Sequence, residues 1–246
     1  MAYYQTVGIV LRRTNLGEAD RIITFLAPEL GKVRAVARGV RRIKSRLAGH
    51  LELFGEVDLM LAEGRSLDVI TSARLQRPAE AMASDYGRLA AGYMLAEMLD
   101  RLVGEGAAGR ELYESTRAGY LDLINQGASQ LLELWFKLRL ASALGYRPQL
   151  NRCTLCQGQP ASQAYFFSSE AGGIVDGSCA SSRRHPMTPN QIKLWRLLLV
   201  APLERVRRLE GAAEAAAASL GTCDAFYDYT FGRRFTSSQL LGSEAA

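Results

Sequence analysis

The first 77 residues alternate between apolar and polar side chains in short runs, and this pattern constrains the fold more than any other feature. Apolar residues occupy every second position of four runs, which are Val7, Ile9, Leu11; Ile23, Phe25; Val57, Leu59, Leu61; and Leu67, Val69. Period-two alternation indicates strands with one buried face. Turn residues such as Gly17 and Gly64 separate the runs. About five short strands within so few residues predict a small β-barrel or sandwich.

The composition changes to that of helices after Pro78. Up to Pro148 the chain is rich in Ala, Leu, Glu and Arg and poor in β-branched residues, which favours helix. Gly104, Gly106 and Gly127 divide this segment, so three helices are predicted. Further on, Thr188-Pro-Asn-Gln191 predicts a helix start with a capping box. The Ala-rich stretch after Gly211 is compatible with helix, and Asp224 to Arg234 predicts a last helix.

Three of the four cysteines lie in a turn-rich segment from Gln149 to Arg184. Cys153-Thr-Leu-Cys156 is a C-x-x-C knuckle, which lets two thiolates bind one tetrahedral ion. A zinc ribbon would repeat the pair 15–20 residues later, and this chain has Asp176-Gly-Ser-Cys179 there. Carboxylate is an acceptable zinc ligand, so a structural zinc is predicted at Cys153, Cys156, Asp176 and Cys179. Alternative fourth ligands are His185 and Cys223, and packed thiols without metal are the other interpretation.

The positive charge is concentrated in one segment of the chain. Residues 34–46 contain six basic side chains and no acid. The charge of this segment, +6, therefore exceeds the net charge of the whole chain, +5. Guanidinium groups match phosphate geometry, so such a run indicates a site for a polyanion. The predicted contacts are Arg34, Arg38, Arg41, Arg42, Lys44 and Arg46, extended by Arg12 and Arg13 on the first strand. A small barrel with such a face is the OB arrangement that binds single strands. A solvated loop that binds nothing is the alternative.

Three aromatic residues near this face have two interpretations. Tyr3 and Tyr4 are equally compatible with base stacking and with core packing, whereas core packing is favoured for Phe54.

Several function classes lack their usual motifs in this sequence. Only two histidines are present, and no Walker loop, G-x-G-x-x-G or G-x-S-x-G occurs, so an ATPase or hydrolase is not favoured. No apolar run approaches the ~20 residues of a membrane span. The N-terminus lacks the apolar region and cleavage site of a signal peptide. We therefore expect a cytoplasmic protein that is not an enzyme.

Three segments together carry a resemblance to a known family. Leu16-Gly-Glu-Ala-Asp-Arg21, Glu29-Leu-Gly-Lys32 and Ala37-Arg-Gly-Val-Arg-Arg-Ile-Lys-Ser-Arg46 resemble the N-terminal part of the RecO recombination mediators. The later order of helices, C-x-x-C, Gly-Gly and D-x-x-C is similar to the same family. The chain departs from the four-cysteine pattern of the family at Asp176, which puts the metal in question and leaves the fold untouched.

The resemblance implies an α+β architecture. Its parts would be an N-terminal OB-fold β-barrel (1–78), an α-helical domain (79–148 plus 186–241) and a small zinc-finger-like insertion (149–185). It also implies a role in DNA repair and recombination after DNA damage, through binding of single- and double-stranded DNA and strand annealing. The implied partners are RecR, the acidic C-terminal tail of single-strand-binding protein and the RecA pathway, at the nucleoid. The alternatives are an RNA-binding OB protein, a zinc-knuckle protein–protein adaptor and, least favoured, a zinc hydrolase.

Overall fold

The computed structural model describes residues 2–107, 109–159, 165–179 and 185–232. They divide into two compact units, one with the described residues up to Gly127 and the other with those from Ala128 onward.

Five strands of the first unit form a closed barrel. They are β1 (Tyr3–Leu16), β2 (Asp20–Ala27), β3 (Gly31–Ala37), β4 (Glu56–Ala62) and β5 (Asp68–Arg77). Their order is β1-β2-β3-β5-β4, and β4 pairs with β1 to close the ring. Only the β3–β5 contact is parallel. This five-stranded topology is that of an OB fold, so the predicted barrel is confirmed.

The long strand β1 belongs to both halves of the barrel. Residues 3–9 pair with β4 and residues 9–16 pair with β2. The register shifts between Val10 and Arg12, and such a bulge bends a strand and increases its twist. Inward-facing residues of all five strands fill the interior, among them Val10, Phe25, Ala35, Leu61 and Ile70. The apolar residues that alternate along the sequence therefore form one continuous core.

Three helices complete the first unit. They are α1 (Glu80–Ala83), α2 (Tyr86–Leu102) and α3 (Arg110–Gln126). Two of them, α2 and α3, contact strands of the barrel. The buried Glu56 of β4 accepts hydrogen bonds from the Tyr113 hydroxyl (2.8 Å) and from Arg117 Nε (3.1 Å), so a charge pair joins strand and helix. The ring of Phe54 lies 5.2 Å from that of Tyr93 and 5.4 Å from that of Tyr120. Apolar and ionic contacts together attach these helices to the barrel.

The second unit contains the remaining helices and a small antiparallel sheet. Its elements are α4 (Gln130–Ala143), β6 (Tyr165–Ser168), β7 (Gly173–Asp176), β8 (His185–Met187), α5 (Pro189–Leu198), α6 (Leu203–Arg207) and α7 (Ala212–Phe231). The strand order is β7-β6-β8. The predicted capping box is confirmed, because Gln191 N donates to Thr188 Oγ1 (3.3 Å) and Thr188 N donates to Gln191 Oε1 (2.7 Å).

A buried lysine joins two helices of this unit. Lys137 Nζ of α4 lies 2.5 Å from carboxylate oxygens of Glu133 and of Asp224 on α7. Burial opposes the charge of Lys137, but the two carboxylates outweigh it and raise its pKa. The amine therefore stays charged, and replacing Lys137 by an uncharged residue would leave the partly buried Glu133 and the exposed Asp224 without this cation.

Two predictions about the second unit need correction. The segment predicted as turns contains β6 and β7, and β8 follows directly after it; at three to four residues these strands are too short for alternation to show. The Ala-rich stretch and the predicted last helix are one helix, α7, which begins at Ala212 because alanine has the highest helix propensity. The predicted end of that helix at Arg234 lies outside the described residues, as do residues 233–241 of the predicted helical domain. The predicted division into three domains stays a prediction.

None of the helices in the described part of the chain combines the length and the apolar character needed to cross a bilayer.

We predict that Gly31→Ala destabilises the protein far more than Gly17→Ala. Both glycines have a left-handed backbone, with φ of +66° and +59°, which costs any other residue about 1–2 kcal/mol. A Cβ at Gly31 would also lie 2.4 Å from the carbonyl oxygen of Ala107, whereas no atom lies within 4 Å of one at Gly17. The clash should add roughly 1–3 kcal/mol, as overpacking does.

Urea denaturation of the two variants beside the wild type measures this difference in the free energy of unfolding. Equal losses of unfolding free energy in the two variants would show that the backbone at Ala107 moves away from the new Cβ without an energetic cost.

Candidate nucleic-acid interface and cysteine cluster

Five basic side chains project from one segment that follows β3. This basic loop, residues 38–47, contains Arg38, Arg41, Arg42, Lys44 and Arg46, and all five are exposed. Among the described residues, none of these five has a carboxylate within ion-pair distance. Arg41 Nη1 donates to the carbonyl of Gly17 (3.2 Å), which orients the group but leaves its charge uncompensated. The loop is thus a concentrated positive surface on the first unit.

Buried apolar residues hold both ends of the basic loop. Val40 is 2% exposed and belongs to the barrel core, and Leu47 packs against the same core. Gly39 N donates to Asp20 Oδ1 (2.7 Å), and Arg41 N donates to Ala19 O (2.9 Å) in the turn between β1 and β2. Its cations therefore extend from an anchored backbone, and binding needs little further ordering of the chain.

The predicted arginines on the strands have a different environment. Each is paired with a carboxylate, as Arg12 with Asp100 (3.0 Å), Arg13 with Glu52 (2.5 Å) and Arg34 with Glu105 (3.2 Å). These carboxylates offset part of the charge that a phosphate would otherwise meet. The structure thus separates the eight predicted cations into five unpaired ones on the loop and three paired ones on strands β1 and β3.

The three aromatic candidates also have distinct positions. Phe54 is buried among Tyr93 and Tyr120, so its core interpretation is confirmed. Tyr4 is half-buried and donates a hydrogen bond to Asp68, and burial together with that carboxylate raises its pKa. Tyr3 is 65% exposed, so its base-stacking interpretation stays a prediction.

The prediction from charge alone missed one residue of the basic loop. Ile43 lies between Arg42 and Lys44 and is fully exposed, at 104% of its reference area. The signal was present in the sequence as a large apolar residue within an otherwise polar, cationic run.

Three cysteines of the second unit converge as the sequence predicts. The Sγ atoms of Cys153, Cys156 and Cys179 all lie within 4.8 Å of one another. The first two lie in a turn after α4, and Cys179 ends a 3₁₀ turn after β7. Sulfurs around a tetrahedral zinc with bonds of about 2.3 Å are roughly 3.8 Å apart, so this arrangement fits such an ion with small adjustments.

Backbone donors support thiolate at this cluster. Asp176 N donates to Cys153 Sγ (3.4 Å). Burial alone would raise the pKa of Cys153, but hydrogen bonds from the backbone of Asp176, Cys156 and Leu155 lower it to about 7. Backbone N–H groups directed at the sulfur thus favour the thiolate, which is the form that binds metal.

The fourth ligand remains a prediction. The Asp176 carboxylate accepts hydrogen bonds from Ser178 N (2.9 Å) and Ser178 Oγ (2.7 Å), and it is not part of the compact set of sulfurs. His185 starts β8 and is likewise outside that set. Residues 160–164 and 180–184 contain no Cys, His, Asp or Glu, so their sequence offers none of these ligand types.

Comparison with known proteins covers nearly the whole chain. The family model described as "Recombination protein O N terminal" matches residues 1–79, and "Recombination protein O C terminal" matches residues 83–239. A "DNA repair protein RecO" of Roseiflexus sp. (strain RS-1) is 43% identical over 204 residues, which are 82% of this chain and 71% of that protein. One of Nocardioides sp. (strain ATCC BAA-499 / JS614) is 37% identical over 88% of this chain and 93% of its own. A third, from Bifidobacterium longum subsp. infantis, is 36% identical over 85% of this chain and 90% of its own.

Together the two family models match residues 1–79 and 83–239. The chain belongs to the RecO family of DNA repair proteins.

Proposed function

We propose that this protein is a DNA-binding recombination mediator that acts without catalysing a reaction. The observation that carries the proposal is the basic loop, whose five cations have no carboxylate partner among the described residues and extend from a barrel of OB topology. Such a surface is suited to the sugar–phosphate backbone of single- and double-stranded DNA. The repair function in the names of its relatives is consistent with this ligand.

Binding at this loop would be electrostatic. Each phosphate that a lysine or arginine neutralises releases a condensed counterion, so affinity falls steeply as salt concentration rises. Arg38, Arg41, Arg42, Lys44 and Arg46 would supply the main contacts. Arg12, Arg13 and Arg34 would contribute less, because a phosphate has to compete with their carboxylate partners. Contacts of this kind carry little sequence information.

Strand annealing follows from the same physics. Two complementary strands repel one another through their phosphates, and a protein that neutralises both lowers the barrier to pairing. We propose that this chain anneals strands and, together with RecR, assists loading of RecA onto DNA coated by single-strand-binding protein.

The acidic tail of single-strand-binding protein would need a cation beside an apolar wall. A groove of the second unit has this combination, with Leu194, Leu197 and Leu209 as the wall and Lys193 on its rim. Glu210 also lines the groove, so Lys193 would have to outweigh its repulsion. Lys137 is not available for this task, because it is buried and paired with two carboxylates.

We propose a structural zinc at the cysteine cluster, held by Cys153, Cys156 and Cys179 with Asp176 as the fourth ligand. Asp176 would have to exchange its hydrogen bonds with Ser178 for the metal. A bound zinc supplies a covalent-like cross-link, here between the turn after α4 and the end of β7.

Charge reversal in the basic loop should abolish tight DNA binding. The variant Arg38→Glu/Arg41→Glu/Arg42→Glu is expected to lower affinity at low salt at least about tenfold. It should also reduce the slope of log affinity against log salt by roughly three, about one per lost phosphate contact. Fluorescence anisotropy of a labelled oligonucleotide across a salt series measures both quantities.

A matched control reverses three exposed basic residues of the second unit, Arg147, Lys193 and Arg205, with the same change in net charge. This control variant should keep most of the wild-type slope of log affinity against log salt. If the two variants and the wild type bind alike, or if none binds, the DNA-site proposal fails and a protein–protein adaptor becomes the better account. Tighter binding to structured RNA than to single-stranded DNA would favour the RNA-binding alternative.

Removal of a zinc ligand should lower thermal stability and metal content together. We expect about one zinc per chain in the wild type and none in Cys153→Ala, with a melting temperature lower by several degrees. Cys223→Ala is the control, since Cys223 is buried in α7 outside the cluster. Elemental analysis and a thermal scan are the measurements, with Asp176→Asn included to test the fourth ligand. A wild type without zinc whose melting temperature matches that of Cys153→Ala would refute the structural role.

A further inference from the structure

The most exposed large apolar side chain of the described residues lies in the middle of the most basic surface. Ile43 is 104% exposed, whereas the next most exposed, Tyr3, is at 65%. An isoleucine in this setting contributes nothing to the core, and its apolar surface is in contact with water. A ligand that buries it would therefore gain the full hydrophobic contribution of the side chain.

Two consecutive turns place Ile43 at the tip of the basic loop. Arg42 N donates to Gly39 O (3.1 Å), and Ser45 N donates to Arg42 O (2.9 Å), so Ile43 and Lys44 occupy the corner of the second turn. The base of the loop is held in the barrel core by Val40. The tip is thus a short projection on a firm support, with cations directly on both sides.

We propose that Ile43 inserts between adjacent bases of bound DNA and unstacks them while the flanking cations hold the phosphates. This inference rests on the proposed DNA-binding function and adds a specific role for one side chain. Apolar wedges, isoleucine among them, separate base steps in other DNA-binding proteins, where phosphate contacts offset the cost of unstacking. Arg42 and Lys44, directly adjacent to Ile43 in the chain, are suited to the phosphates on either side of such a step.

The loop would then combine two effects, neutralised phosphates and one opened base step, on one turn of the chain.

Nucleic acid fits this tip better than a lipid surface does. A lipid surface also offers negative charge and an apolar interior, but a single isoleucine buries too little area to anchor a protein there. A base step is a narrow apolar slot between two phosphates, and one branched side chain fills it.

The test uses the full chain and a single-stranded oligodeoxynucleotide with 2-aminopurine between adenines, because the fluorescence of 2-aminopurine rises when it is unstacked. Saturating wild-type protein should raise the signal, as expected for an opened base step. Ile43→Ser should lose most of that rise while its salt slope in anisotropy stays that of the wild type. Ile43→Leu should retain the rise, because leucine keeps an apolar wedge of similar size.

Leu30→Ser is the matched control, since Leu30 is an exposed apolar residue of the β2–β3 turn outside the basic loop. It should behave as the wild type. The inference is overturned if Ile43→Ser gives the wild-type rise, or if the wild type binds DNA without any rise. Loss of binding to anionic phosphatidylglycerol vesicles in Ile43→Ser, with an unchanged 2-aminopurine signal, would assign the tip to membranes instead. A wild type that does not bind DNA at all in anisotropy would overturn the proposed function itself.

Discussion

The pairing of β1 with both β2 and β4 is the constraint on which the rest of the first unit depends. One strand of 14 residues bends at Val10 to Arg12 and closes the barrel, so that the inward-facing residues of five strands share one core. The basic loop is held in position by Val40 and Leu47, which pack in or against that core, and by backbone hydrogen bonds to the β1–β2 turn. A barrel that failed to close would leave the same cations on a disordered segment.

Charge compensation divides the basic residues into two groups with different consequences. Cations on strands β1 and β3 lie beside Asp100, Glu52 and Glu105 and so are partly neutralised. The cations of the basic loop have no such neighbour among the described residues. An ion pair at the surface contributes little to stability, but it decides how much charge remains for a ligand. Carboxylates elsewhere in the fold thus focus the proposed DNA contact on one loop.

Much of this organisation was predictable from local patterns. Alternation predicted about five strands and located four of them, glycines predicted the helix breaks near 104–106 and 127, and Thr188 with Gln191 predicted a helix start. These signals come from neighbouring residues and need no knowledge of distant contacts. The three strands of three to four residues in the second unit were not predictable, since they are held by pairing across the sheet. The Ala-rich stretch and the helix predicted from Asp224 were not recognised as one helix, α7. A run of alanines has no apolar periodicity that would show where a helix begins.

The sequence by itself determined an N-terminal β-domain of about five strands, the helical composition, the local excess of positive charge and the grouping of three cysteines around a C-x-x-C turn. Each of these follows from residue type and spacing within one segment. Only the tertiary structure decided which arginines are neutralised, because their partners Asp100, Glu52 and Glu105 lie 39 to 88 residues away in the chain. It also decided that Ile43 stands in solvent while Val40, three residues before it, is in the core. Which side of a turn meets the core is set by how the barrel closes, and no local pattern encodes that choice.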